Sequence, residues 1–270
     1  MTLPFVRRSS ALVVTLLAAL SLVACSSSPK DDLAGRNGER LYKEAKDDMA
    51  AGSYERAIKS LERVGGLAAG TVLAQQAQLD LAYLYWKTGE RAQGLAAIDR
   101  FIKLNPSSPA LDYAMYLRGV INFNDNLGLF GNLAGQQLSE RDQRASRDAY
   151  LAFKQLTEQF PESKYAPDAR QRMNFIVNSL AAYEVHVARY YFQRGAFLAA
   201  ANRAKQAVAE FQQSPSTEEA LAIMSRSYDR LQLTELRDAA DRVLRTNFPN
   251  SGYLAGGSGP ARGKPWWQIW

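Results

Sequence analysis

With one cysteine and one histidine in 270 residues, the chain has little of the material from which disulfide frameworks and metal centres are built. A single thiol excludes an internal disulfide and any multi-thiol metal site. The lone His186 lies within a helical pattern with no second histidine or cysteine to share a metal, so a packed or surface role is expected. Acidic residues are plentiful, yet they fall where solvated helix faces are expected, and no pair stands out as an acid/base couple. Charge of one sign is also scarce. Removing a leader that holds Arg7 and Arg8 leaves 31 basic against 27 acidic residues, spread along the chain, which argues against nucleic-acid binding. No stretch alternates apolar and polar residues as a half-buried strand does.

What the chain has is repetition, together with 47% apolar residues to bury. The segment 96–119 reads as a helix (Ile98, Phe101, Ile102), a corner at Asn105-Pro106, and a second helix with Leu111, Tyr113, Met115 and Tyr116. Pro106 has no N–H and cannot continue a helix, while Ser107 or Ser108 is placed to cap the next one, with Pro109 near its first turn. The corner recurs as QFPESKYAPDA at 159–169 and NFPNSGYLAG at 247–256, and more loosely as FQQSPSTEEA at 211–220. Such copies predict a row of helical hairpins, each packed on its neighbours.

Residues 1–24 carry a basic start, an apolar stretch over 11–20 and then Leu22-Val23-Ala24-Cys25, the pattern of a signal peptide. Leu-Val-Ala-Cys resembles the bacterial lipobox, which implies cleavage before Cys25, diacylglycerol on its thiol and an acylated amino terminus. Several acyl chains give the stable anchoring that one chain does not. Ser26 stands where lipoproteins kept at the inner membrane often carry Asp, so the outer membrane is favoured. A thiol consumed by lipid also excludes a Cys-His nucleophile. The stretch 25–37 reads as a lipidated, flexible tether.

The array is expected over 38–250. Gly52, Tyr54 and Ala57 resemble the turn of a tetratricopeptide repeat, with Gly52 at the turn and Ala57 facing the partner helix. Ala82, Tyr85, Gly89 and Pro106 keep the same offsets, although Arg91 and Gly94 stand where Tyr and Ala are usual. Gly195, Ala196, Phe197 and Ala200 repeat the turn. In the last unit Tyr228, Leu231, Val243 and Leu244 are expected on the inner faces. From Pro106 to Pro161 the chain runs about 21 residues beyond a plain repeat of about 34, which points to an insertion at about 122–143. Its Leu127, Leu129, Phe130 and Leu133 either meet a partner or fold back on the array. The segment 251–270 is Gly-rich and then Trp-rich, and Trp266, Trp267 and Trp270 are candidate interface anchors, against the plainer reading of an unstructured aromatic tail. SGPARGK at 258–264 looks like part of a phosphate loop, but its first glycine is out of register, and Pro265 takes the place of the magnesium-holding Ser or Thr.

Read together, QLDLAY at 78–83, DRFI at 99–102 with Asn105-Pro106, Asp112-Tyr113, Tyr116 and Gly119, and Arg141-Asp142 resemble the BamD family, lipoproteins of the outer-membrane β-barrel assembly machine. So do Tyr165, Asp168-Ala169, Tyr183-Glu184, Val187-Ala188, Arg194-Gly195-Ala196 and Asn202-Arg203. The resemblance implies an all-α tetratricopeptide-repeat superhelix of about five hairpins, an α-solenoid facing the periplasm from the inner leaflet of the outer membrane. It implies no catalysis and no cofactor beyond the lipid on Cys25. The implied partners are the periplasmic domain of BamA at the C-terminal repeats, BamC and BamE alongside, and unfolded outer-membrane proteins at the N-terminal repeats. Arg203 matches a family arginine tied to BamA. With Arg194 and Asn202 it forms the candidate BamA side, the alternative for Arg203 being a helix-surface ion pair. Asp112, Tyr113 and Tyr116 are the candidate substrate groove, or packing residues. Where the family has an aromatic-proline corner, this chain reads GGLAAG at 65–70, which weakens transfer of substrate contacts there. A rival reading is a periplasmic repeat lipoprotein that regulates cell-wall hydrolases.

Overall fold

The computed structural model describes residues 38–68, 70–123 and 140–254, and within them the chain is helical, without strands. The described residues hold ten helices: α1 (Gly38–Ala50), α2 (Tyr54–Leu67), α3 (Val72–Lys87), α4 (Arg91–Leu104), α5 (Leu111–Asn122), α6 (Glu140–Gln159), α7 (Ala166–Gln193), α8 (Phe197–Glu210), α9 (Ser216–Arg230) and α10 (Thr234–Asn247). The expected all-α hairpin repeat is what the chain forms. It divides into two compact units, the boundary falling inside α3 after Ala77.

In the first unit α1 doubles back into α2 and buries Leu41 and Ala45 with Ala57, Ile58, Leu61 and Val64. Ala57 is fully buried, as its place in the repeat predicts, and Tyr54 is half-buried. At the corner that follows, the Thr71 hydroxyl accepts the Ala74 N–H (3.3 Å), a helix cap that none of the later corners uses.

The second unit is a chain of cores. Leu79, Ala82, Ile98, Phe101, Ala114, Leu117 and Ile121 join α3, α4 and α5. Another core joins α5, α6 and α7 around Phe153. Alanines 188, 200, 204, 207 and 220 let α7, α8 and α9 approach closely. In α3, residues 79, 82, 83, 84 and 86 are buried or packed, more than a single stripe, as a helix between two neighbours requires. Gly94 fits the same logic: a Cβ there would lie 3.3 Å from the Ala82 carbonyl oxygen. Arg91, in the place of the usual aromatic, donates to Asn122 Oδ1 (2.9 Å) at the end of α5.

Among the described residues two kinds of connection recur. In the described hairpin turns one residue takes a left-handed conformation: Gly52, Gly89, Gly195 and, in the last, Gln232 at φ 60°; Gly70, at the corner after α2, takes it as well. In that last turn the Leu233 N–H reaches back to the Tyr228 carbonyl (2.9 Å), which closes the helix end as the glycine turns do. A side chain is strained at this φ. Gln232→Gly is therefore expected to stabilise the protein by about 0.5–1 kcal/mol, read as a higher midpoint of thermal unfolding.

The corners after α4, α6, α8 and α10 share a serine. Ser108, Ser163, Ser214 and Ser251 each donate their N–H to the carbonyl three residues back, and each hydroxyl accepts the N–H two residues on, at 3.2–3.3 Å. This corrects the expected cap. The N-cap of α5 is Ala110, without a side-chain bond; Ser107 takes no part, and Ser108 closes a local serine turn that bends the chain before the helix starts. A second correction concerns α10. Ala240 and Leu244, one turn apart, face inward, whereas Val243 is 42% exposed, because it lies about 100° round the helix from Leu244.

Candidate functional site

The three groove candidates lie along α5, where the corner serines set the start of the helix. Asp112 Oδ2 accepts the Ser163 hydroxyl at 2.6 Å, so the corner after α6 is tied to the helix after the preceding corner. Tyr116 donates to Asp168 Oδ2 at 2.7 Å, and Arg172 Nε donates to the same oxygen at 2.6 Å. The Tyr165 ring stacks on Tyr116 (4.8 Å between centroids, 18°) and leans against Tyr113 at 5.4 Å. Lys164 and Arg172 sit over the rings of Tyr165 and Phe123, at 5.0 and 4.9 Å. Asp112, Tyr113 and Tyr116 thus come together and remain half-buried, with Ser163, Tyr165, Asp168 and Arg172 completing the cluster. Of these additions, the Asp168–Arg172 pair was legible from its i,i+4 spacing.

The electrostatics of this cluster move its titrating groups away from neutrality. Burial pushes the Tyr113 hydroxyl up to about 12, with Asp80 adding to the effect. Burial, then Asp168, also raises Tyr116. Burial resists ionisation of Asp168, but Arg172 and Tyr116 outweigh it and hold the carboxyl below its ordinary value. Acid and hydroxyls are therefore moved away from neutrality, the reverse of what general acid–base catalysis needs. A raised hydroxyl contributes stability that is complete below its unfolded value of about 10 and is lost as pH climbs through its folded value of about 12. Denaturant unfolding between pH 9 and 12 should thus show an alkaline loss in wild type that Tyr113→Phe reduces.

The C-terminal candidates occupy the α7–α8 hairpin. Arg203 Nη1 lies 3.2 Å from Glu184 Oε2, and the Glu184 side chain is only 4% exposed against 42% for Arg203. The ion pair weighed for Arg203 is therefore present, and it neutralises a carboxylate that α7 buries. Asn202 is exposed beside it. Arg194 ends α7, exposed, with its guanidinium 5.3 Å from the Tyr190 ring.

A third feature had no sequence signal. A cleft of about 280 Å³ opens between α7, α9 and the segment after α10. Phe192, Ala222, Ile223 and Tyr253 supply its apolar lining, and Arg189, Gln193, Glu219 and Arg226 its polar one. Arg189 is held by Glu219 at 2.6 Å, and Arg226 sits 5.8 Å from the Tyr253 ring.

Cys25, the tether, residues 124–139 of the insertion, and Trp266, Trp267 and Trp270 lie outside the described residues. Among the described residues no helix is long and apolar enough to cross a membrane, and no three His, Cys, Asp or Glu residues are grouped to hold a metal.

Comparison with known proteins gives a match over most of the chain. The model of a family described as outer membrane lipoprotein (YfiO) matches residues 36–244. The outer membrane protein assembly factor BamD of Neisseria gonorrhoeae is 41% identical over 264 residues, covering 96% of this chain and 98% of the relative. That of Neisseria meningitidis serogroup B is 42% identical with the same coverage. The BamD of Vibrio cholerae is 32% identical, covering 86% of this chain and 96% of the relative. Among solved structures, the type IV pilus biogenesis factor PilW aligns with 81% of this chain and 97% of its own at 14% identity and a TM-score of 0.37.

Proposed function

The chain belongs to the BamD family of outer membrane protein assembly factors, and on that premise we propose that it is a non-enzymatic lipoprotein scaffold of the β-barrel assembly complex. Lipid on Cys25 holds it at the inner leaflet of the outer membrane, facing the periplasm, and the repeats hold partners at high effective concentration. The hairpin bearing Arg194, Asn202 and Arg203 meets the periplasmic domain of BamA, with BamC and BamE alongside. Unfolded outer-membrane proteins engage the aromatic cluster at Asp112, Tyr113 and Tyr116, whose ring faces and hydrogen-bonding edges suit an extended chain.

The observation that carries this reading is the near end-to-end likeness to assembly factors of that name. It is tested by purifying the tagged protein from outer membranes in mild detergent. A BamA homologue is expected to come with it, and Cys25→Ala is expected to leave the membrane fraction. If no BamA homologue is recovered, the assembly reading fails.

A further inference from the structure

The two ends of the first hairpin show different surfaces to solvent. From Val64 to Leu79 the chain carries no charged side chain, a stretch that takes in the end of α2, the corner and the first half of α3. Within it Val72 is 80% exposed and Leu67 55%, and Gly65, Gly66, Gly70 and Thr71 are exposed along the same stretch. The corner's polar groups bond one another. The Thr71 hydroxyl donates to the Ala68 carbonyl at 2.6 Å and accepts the Ala74 N–H. The Thr71 N–H reaches the same Ala68 carbonyl, and the Ala68 N–H reaches that of Val64. Bare aliphatic side chains without charge, beside polar groups already paired, suit a lipid interface and gain nothing from water.

The chain enters the fold at this same end. A Cβ on Gly38, the first residue of α1, would lie 3.4 Å from Ala68, 3.6 Å from Leu73 and 4.0 Å from Leu67. Cys25 stands thirteen positions before Gly38, so lipid on its thiol is held within about 45 Å of the corner even if every intervening residue were extended. The opposite end of the hairpin, where Gly52 turns α1 into α2, lies a further helix length of about 20 Å away. That end is charged: Arg56 pairs with Asp48 at 2.8 Å, and Asp47 and Glu55 are exposed nearby. A surface tethered to the protein meets the corner at high effective concentration, so two aliphatic side chains suffice to orient what they could not bind alone.

We propose that the corner formed by Leu67, Ala68, Thr71 and Val72 is a membrane-contact site whose occupant is the lipid surface that anchors the chain, with the Leu67 and Val72 side chains entering the boundary between headgroups and acyl chains. The contact turns the corner end of the first hairpin towards the bilayer and its charged Gly52 end away from it. It rests on lipid being attached to Cys25, and adds to that anchor a non-covalent contact that sets orientation.

The test uses the full lipidated chain in vesicles of phosphatidylethanolamine and phosphatidylglycerol. With the one native thiol consumed by lipid, Val72→Cys supplies a single site for a nitrobenzoxadiazole label, and Glu55→Cys supplies the control near the Gly52 turn. Both positions are exposed, so each variant is expected to fold, as circular dichroism checks. The label at 72 is expected to emit blue-shifted and to be quenched by lipids bearing a nitroxide high on the acyl chain, while the label at 55 stays red and unquenched. Adding Val72→Asp to a chain labelled through Leu67→Cys should abolish quenching at 67, because a carboxylate resists leaving water. Equally red, unquenched emission at 72 and 55, from protein that floats with the vesicles, would overturn the contact and leave the lipid anchor standing. Blue emission at 72 that nitroxide lipids do not quench would mean that protein covers the corner, and would also overturn the contact. Protein that fails to float would overturn the anchor, and the contact with it.

Discussion

Replacing Gly119 by alanine is expected to cost about 3 kcal/mol and to lower the unfolding temperature by roughly 10 °C. A Cβ at this position would lie 2.4–2.8 Å from three atoms of the Phe153 ring. Relief by movement is blocked because Phe153 is fully buried in the core of α5, α6 and α7, with Tyr116 and Phe123 against it at 6.0 and 6.3 Å. Gly119→Val should prevent folding of that core. Combining Gly119→Ala with Phe153→Leu should cost less than the two changes added, because the smaller side chain vacates the space the methyl needs. Urea unfolding followed at 222 nm checks all three, and strict additivity would mean that the clash is absorbed elsewhere.

The second large effect concerns the buried carboxylate of α7. Deleting one partner of a buried pair leaves a charge without compensation, at about 3–5 kcal/mol when both are buried. Arg203 is 42% exposed, so water screens part of this, and Arg203→Ala is expected to cost about 2 kcal/mol. Arg203→Glu should cost more, since it sets a second carboxylate against Glu184. The pair Glu184→Gln with Arg203→Gln should return close to wild-type stability. This double variant separates two roles that a single substitution confounds. If Arg203 touches BamA, the double variant folds and yet loses the co-purifying partner. Recovery of BamA at wild-type levels would show that Arg203 serves only to neutralise Glu184.

Much of the fold was legible because it rests on local signals. Phenylalanine or asparagine before proline marked the ends of α4, α6 and α10, and Gly52, Gly89 and Gly195 marked hairpin turns. Two features escaped for physical reasons. Gln232 holds the left-handed place without being glycine, and the corner serines work through backbone geometry two residues on, which resembles ordinary capping in sequence. Val243 was misplaced because neighbouring apolar residues on a helix look alike until the partner helix selects one. The site was less legible than the fold. Asp112, Tyr113 and Tyr116 could be singled out, but Ser163 and Asp168 lie about fifty positions away and meet them only through the packing of α5 on α6 and α7. The cleft at Tyr253 draws on two helices and a trailing segment, and no motif announces it.

At 28 residues, or about 42 Å of helix, α7 contributes Ala169, Ile176, Leu180 and Ala181 to one core and Val185 and Ala188 to the next. Neither core can open without stripping part of a continuous helix from its packing. The two should then behave as one cooperative unit in hydrogen exchange, with α10 opening earlier at the end of the row. The long helix thus converts what would be hairpin-by-hairpin loosening into a shared threshold.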